Sequence, residues 1–389
     1  MPVDDIDAGD AERALGRTTA ASETRPVSAW EGQGMVEAFV YTALPAKVVF
    51  GFGTLGCVPD EVRALGCKRS LVLSTPEQQE TAQMLAGRLG ELSVGTFAQV
   101  AMHTPVEVTA RALEAVRDLG ADCTVALGGG STTGLGKAIA LRTDLPQIVV
   151  PTTYAGSEAT PILGETQDGG KITQRNMKVL PEVIIYDVEL TLSLPRGLSA
   201  TSGMNAIAHA VEALYARDAN PIISNLAEEG INVLARALPL IMRNSQHKGA
   251  RSDALFGAWA CGTCLGAVGM ALHHKLCHTL GGSFNLPHSQ THTIVLPHAT
   301  AYNRDAAPAA MARVARALAA TDAAQGLFDL AKMLGAATAL KDIGMPESGL
   351  DRAAELAASS PYWNPSPIEQ SRIRALLDNA FHGRRPENP

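Results

Sequence analysis

Asn205 and His209 stand four residues apart in "GMNAIAHAVEALYA", so on a helix both face one spot, a single turn apart. The same spacing returns in His274 and His278 of "HHKLCH" and in His288 and His292 of "LPHSQTH", with His273 and His298 close by. Imidazoles placed this way suit two kinds of chemistry: they ligate divalent metals, or they pass protons near neutral pH. A metal cage wants an anionic ligand, and where a carboxylate is expected opposite the histidines the chain carries the amide of Asn205. An isolated histidine is ordinarily a core or surface residue; three turn-spaced pairs in one half of the chain are not explained that way.

Something must hold these side chains, and the first half of the chain reads as a scaffold. Short β-branched runs, "KVVF", "SLVLS", "CTVALG", "QIVV" and "VIIYD", alternate with helical patterns over 76–89, 105–119 and 131–141. Such alternation predicts parallel β-α-β units in a doubly wound, Rossmann-like sheet whose ligands bind at the carboxyl ends of the strands. Past "LTLSLP" (190–195) the chain turns to Ala- and Leu-rich helical stretches with no convincing strand. The reading is a disordered extension over 1–34, an α/β dinucleotide-binding domain over 35–194 and an all-α catalytic domain over 195–389.

Two glycine loops are candidates for a phosphate. "GFGTLG" (Gly51, Gly53, Gly56) matches G-x-G-x-x-G, but a tight strand-to-helix turn explains it about as well, and no acid ends the second strand. "VALGGGSTTGLGKAIAL" is stronger: Gly128, Gly129, Gly130 and Ser131 lead a buried strand into a helix, so bare N–H groups meet a helix N-terminus where a pyrophosphate fits. Lys137 is followed by Ala138, so this is no Walker loop, and a nicotinamide dinucleotide suits it better than ATP. The next strand ends in "VVPTTYAGSEAT", which sets Thr152, Thr153, Tyr154, Ser157 and Glu158 at the adjacent tip, as ligand contacts or as turn and cap residues.

Composition narrows the partners. With 389 residues, 46% hydrophobic and 18% charged, the chain reads as globular with about two domains. A net charge of −7 without a basic stripe argues against nucleic acid, and no apolar run approaches the roughly 18 residues of a membrane span. An acidic start without an apolar h-region argues against a secretory signal, and six scattered cysteines fit a reducing cytoplasm. Cys261-x-x-Cys264 lies in a small-residue helical run and reads as packed core thiols rather than zinc ligands.

Taken together, the Gly-Gly-Gly-Ser loop, "PTTYAGSE", Asn205-x-x-x-His209, His274-x-x-x-His278 and Pro287-His288 resemble the iron-containing (group III) alcohol dehydrogenase family from Met35 to the end. "HHKLCHTLGGSFNLPH" and "YWNPSPIEQSRIRALLDNAFHGRRP" are similar to its branch that reduces maleylacetate. The resemblance implies the dehydroquinate synthase-like architecture, a homodimer, family metal ligands mapped onto Asn205, His209, His274 and His288, and His278 beside the nicotinamide. It also makes Lys171 a ribose contact. Gly134 stands where most members have an aspartate, and Thr75 where many have an NAD-selecting acid, so NADPH is expected to serve as well as NADH.

The amide at 205 leaves only neutral ligands, so no metal is expected. An alkene conjugated to a carbonyl is already electrophilic, and hydride addition to it needs a proton donor and a cradle for carboxylates rather than a Lewis acid. The expected reaction is NAD(P)H-dependent reduction of the carbon–carbon double bond of a small dicarboxylate, maleylacetate, to 3-oxoadipate. His278 or His288 would donate the proton or hold the enolate, Asn205, His209 and His274 would orient the substrate, and Tyr154 would touch it or pack. The alternative is a metal-dependent alcohol or glycerol dehydrogenase in which Asn205 ligates through its amide oxygen.

Overall fold

The structure is a computed structural model that describes residues 39–44, 46–167, 170–359 and 362–387. The extension expected over 1–34 lies outside them. Six strands, β1 (Lys47–Gly51), β2 (Ser70–Leu73), β3 (Ser93–Phe97), β4 (Cys123–Gly128), β5 (Gln147–Pro151) and β8 (Val183–Asp187), form one sheet in the order β1-β8-β5-β4-β2-β3. Every pairing in it is parallel. A separate antiparallel hairpin, β6 (Ile162–Gln167) and β7 (Gly170–Arg175), precedes β8.

The alternation of side chains explains both layers. Val72, Val125, Leu127, Ile148 and Val150 point to one face, where Val58 and Val62 of α1 (Val58–Ala64) and Leu85 and Leu89 of α2 (Gln79–Leu89) cover them. Leu71, Leu73, Ala126 and Val149 point to the other, under Val108, Ala112 and Val116 of α3 (Val106–Leu119) and Leu135 and Ile139 of α4 (Gly130–Thr143). Strands buried on both faces read as unbroken apolar runs, which is why β2, β4, β5 and β8 stand out in the sequence. β3 does not: Ser93, Gly95 and Thr96 interrupt it, and as an edge strand it is only half-buried. The hairpin was likewise not expected, because its strands are polar and β7 is largely exposed.

The helical half begins with α5 (Arg196–Leu214) and continues through α6 (Pro221–Arg243), α7 (Lys248–Ala267), α8 (Leu272–Phe284), α9 (His288–Tyr302), α10 (Pro308–Ala317), α11 (Ala323–Met333), α12 (Leu350–Ala358) and α13 (Gln370–His382). α5 is buried at every position from Ser199 to Leu214, as a helix without a polar face must be. Close approach of α6 depends on Gly203, where an added Cβ would lie 2.7 Å from the Leu238 methyls. Cys261 and Cys264 are packed core thiols on α7, and burial pushes the Cys264 thiol up to about 12. Among the described residues no single helix is long and apolar enough to cross a membrane.

Candidate active site

Strand order reverses at β4: β2 and β3 lie on one side of it, β5 and β8 on the other. The crevice at such a reversal is where a doubly wound sheet binds its ligand. "GFGTLG" is not there. It follows edge strand β1, and its turn is filled by Asp187, whose carboxylate accepts from Gly53 N at 3.0 Å and Leu55 N at 2.8 Å. The glycines serve a turn closed by an internal anion, which takes the Gly53 and Leu55 N–H groups that a phosphate would need.

The second glycine loop meets the crevice. Gly128 ends β4 and takes Thr152 N at 3.0 Å, so the two strand tips are tied together. α4 starts with Gly129 as its N-cap, without a side-chain cap and without an acid in its first turn. A Cβ at Gly129 would lie 3.1 Å from the Thr153 methyl, so a bare backbone is needed for this approach. Ser157 has a buried hydroxyl with no hydrogen-bond partner. Unspent donors at a helix N-terminus are what a pyrophosphate requires, and the residues present fit a dinucleotide.

Two features of this loop were missed from sequence. Lys137, which served there only to reject a Walker loop, is fully buried and donates to Ser157 O and Thr160 O at 2.6 Å, Ile162 O at 2.9 Å and Thr160 Oγ1 at 3.0 Å. It pins the β5 loop to α4, and burial lowers its pKa to about 7 against the pull of Glu158. At Gly134 an added Cβ would lie 2.4 Å from Thr104 Oγ1. The space an aspartate would use is therefore filled by Thr104, which with His103 adopts left-handed backbone, φ 48 and 64. Thr166 holds that turn, its N–H donating to Thr104 O at 3.2 Å and its hydroxyl to His103 O at 3.0 Å.

The histidines come together as the spacing implied. Ring centroids lie 5.1 Å apart for His209 and His274, 5.0 Å for His274 and His292, 6.3 Å for His274 and His278, and 4.2 Å for His288 and His292. The expectation that no anion sits among them is corrected: Glu212, fully buried on α5, takes His274 Nδ1 at 2.6 Å, His273 N at 2.8 Å and Ala271 N at 3.0 Å. Burial raises its carboxyl, but the His274 ring and these donors outweigh that and hold it below the usual range. With Nδ1 committed to Glu212, His274 turns Nε2 the other way, buried and without a partner.

Four of the other rings are disfavoured as cations. Burial, with the neighbouring rings adding to it, holds His209 and His292 well below the ordinary imidazole value. Burial likewise lowers His273 and His298 to about 4. His209, His273 and His292, each held toward the neutral form, thus surround one carboxylate-anchored histidine. Among the described residues near the rings, the trios of potential ligand atoms within 4.8 Å of one another are His273–Cys277–His292 and Glu212–His273–His274. His209, His274 and His288 do not form such a trio.

All of this opens on one cavity of about 970 Å³ between the α4 loop and the histidines. Gly130, Ser131, Thr153 and Ser157 line it from the sheet side, and Asn205, His209, His274, His278, His288 and His292 from the helical side. Gly128, Gly129, Thr152 and Thr75 are not among its lining residues. Tyr154 does not reach it: its ring is in the core and its hydroxyl accepts from Arg251 Nη1 at 3.1 Å, a packing role. Lys171 lies on β7, with its side chain outside the described residues. His298 is a core histidine.

Comparison with known proteins agrees with this geometry. The family model "Iron-containing alcohol dehydrogenase" matches residues 45–188, and "Fe-containing alcohol dehydrogenase family, C-terminal" matches 199–381. A maleylacetate reductase of Rhizobium sp. is 59% identical over 90% of this chain and all of its own length. One from Burkholderia cepacia is 55% identical over the same shares. The crystal structure of maleylacetate reductase from Agrobacterium tumefaciens superposes with a TM-score of 0.87 at 59% identity, covering 90% of this chain and 99% of that one. Two domain models, a shared fold and identity across both halves lead to one conclusion: the chain belongs to the iron-containing alcohol dehydrogenase family and is an oxidoreductase of its maleylacetate reductase group.

Proposed function

We propose that this enzyme reduces the carbon–carbon double bond of maleylacetate to 3-oxoadipate, using NADH or NADPH and no metal ion. One observation carries the reading. Although the chain holds 39 acidic residues and a net charge of −7, among the described residues no aspartate or glutamate lines the cavity. Arg175 and the buried Lys137 are among its lining residues, and the first turns of α4, α5 and α9 open onto it. A site cleared of carboxylates and surrounded by helix N-termini suits a pyrophosphate and a doubly negative substrate.

The loop Gly128 to Ser131, with Thr152, Thr153 and Ser157, would hold the dinucleotide, Lys171 its ribose, and Thr75 would leave room for a 2′-phosphate. When bound, the dinucleotide supplies a hydride. The chain's own residues then manage the enolate that forms as the enone accepts it. Glu212 fixes His274 with Nε2 toward the cavity, Asn205 and His209 position the substrate from α5, and His278 and His288 share proton donation and the hold on the enolate oxygen.

A divalent ion here would meet Asn205 Oδ1 and imidazole nitrogens, all neutral. Glu212 faces the opposite edge of the His274 ring and already accepts from three donors. That donor set does not suit iron or zinc, which bind through ligands that bring charge or converge tightly. The test is a spectrophotometric assay of cofactor oxidation with maleylacetate, run beside oxidation of simple alcohols with NAD. Rapid turnover with maleylacetate and none with alcohols is expected; turnover of alcohols alone contradicts the reading.

A further inference from the structure

The β6–β7 hairpin forms part of the cavity wall. On β7, Thr173 and Arg175 line the cavity and the intervening Gln174 does not, as the alternation of side chains along a strand requires. β6 packs against α4, whereas β7 packs against α8, the helix that carries His274 and His278. Arg175 Nη2 donates to Gly266 O, among the last carbonyls of α7, and Val268, Gly269 and Met270, which lead from there into α8, line the same cavity. Arg175 is thereby tied to the histidine side of the cavity, and its exposure puts it at the rim.

Its guanidinium is held but not neutralised. Nearby cations have acids of their own: Arg142 pairs with Glu165 of β6 at 3.0 Å, and Lys178 with Asp144 at 3.2 Å. Arg175 pairs with no carboxylate among the described residues, and its one partner there is the carbonyl of Gly266, at the partly negative end of a helix. Anchoring through Nη2 fixes the head while Nη1 and Nε keep their N–H groups. The other cation on the wall, Lys137, already donates to four oxygens. A planar fork of unspent donors, set on a wall without acids among the described residues, has the chemistry that binds a carboxylate.

We propose that Arg175 binds one of the substrate's two carboxylates at the rim of the cavity and so selects dicarboxylates over neutral enones. This rests on the functional reading above and deepens it. The histidines act on the enone, and Arg175 holds the charged end of the molecule.

The test is Arg175→Gln, whose amide can still donate to Gly266 O, beside Arg175→Lys, which keeps the charge but not the fork. In Arg175→Gln the KM for maleylacetate should rise about tenfold or more, the scale of a lost charge-assisted contact. The KM for NADH should stay within about twofold, since α4 is untouched. Competitive inhibition by adipate and by hexanoate, chains of equal length with two carboxylates and with one, gives a readout that a packing defect does not move. Wild type should bind adipate at least about tenfold better than hexanoate, Arg175→Gln should shrink that ratio toward one, and Arg175→Lys should fall between. If Arg175→Gln does not fold, Arg175→Lys decides by the same ratio. A wild type that does not favour adipate, variants that keep the wild-type ratio, or a rise in the KM for NADH in place of that for maleylacetate overturns the assignment while the functional reading stands. If the wild type itself does not oxidise NADH with maleylacetate, both fall.

Discussion

With its Nδ1–H given to Glu212 at 2.6 Å, His274 cannot switch tautomer without leaving a buried carboxylate unpaired. That fixes which nitrogen faces the cavity. Glu212→Gln replaces the anion with an amide that orients the ring less firmly. The expected result is a kcat lower by about a hundredfold with the fold intact by circular dichroism, and partial recovery in Glu212→Asp; a kcat within threefold of wild type would remove Glu212 from the mechanism. Glu212 sits in the same 14-residue segment as Asn205 and His209, yet nothing in the spacing marks it, because its partner is 62 residues away. The spacing did read the pairs correctly, since turn periodicity is local. It did not read protonation, since burial of His209, His273 and His292 depends on α8 and α9 closing over them. Tyr154 shows the same limit: a hydroxyl at a strand tip looks functional until Arg251, 97 residues on, takes it.

At the scale of elements, the site is made where strand tips and helix starts meet. The apolar runs of β2, β4, β5 and β8 were legible because strands buried on both faces carry no alternation to confuse them. Of the two glycine loops, the sequence favoured Gly128 to Ser131, where a buried strand runs into a helix, and that loop bears the helix N-terminus at the cavity. What decides between them is Asp187, which closes the first loop from the end of β8. Thr75 follows β2 beside β4, at the edge of the crevice, half-buried and without a charge. Thr75→Asp restores an acid that accepts from a ribose hydroxyl and repels a 2′-phosphate. NADPH efficiency, as kcat/KM, should drop about tenfold or more with NADH little changed; equal loss with both cofactors would show that Thr75 acts on packing rather than on the ribose.

Across the whole molecule, charge is sorted. Among the described residues no acid lines the cavity, and the carboxylate that reaches the histidines, Glu212, is turned to the far side of His274. Composition alone reported the total and argued only against nucleic acid; the sorting depends on how the sheet and helical halves face each other. Asn205 belongs to this pattern, since an aspartate there would put an acid on a wall that holds none among the described residues. The direct measurement is metal content and maleylacetate turnover of the same purified sample before and after exhaustive chelation. Full turnover with less than about a tenth of an equivalent of iron or zinc is the predicted result, given a neutral donor set; a stoichiometric ion whose removal abolishes turnover and whose return restores it would contradict the account.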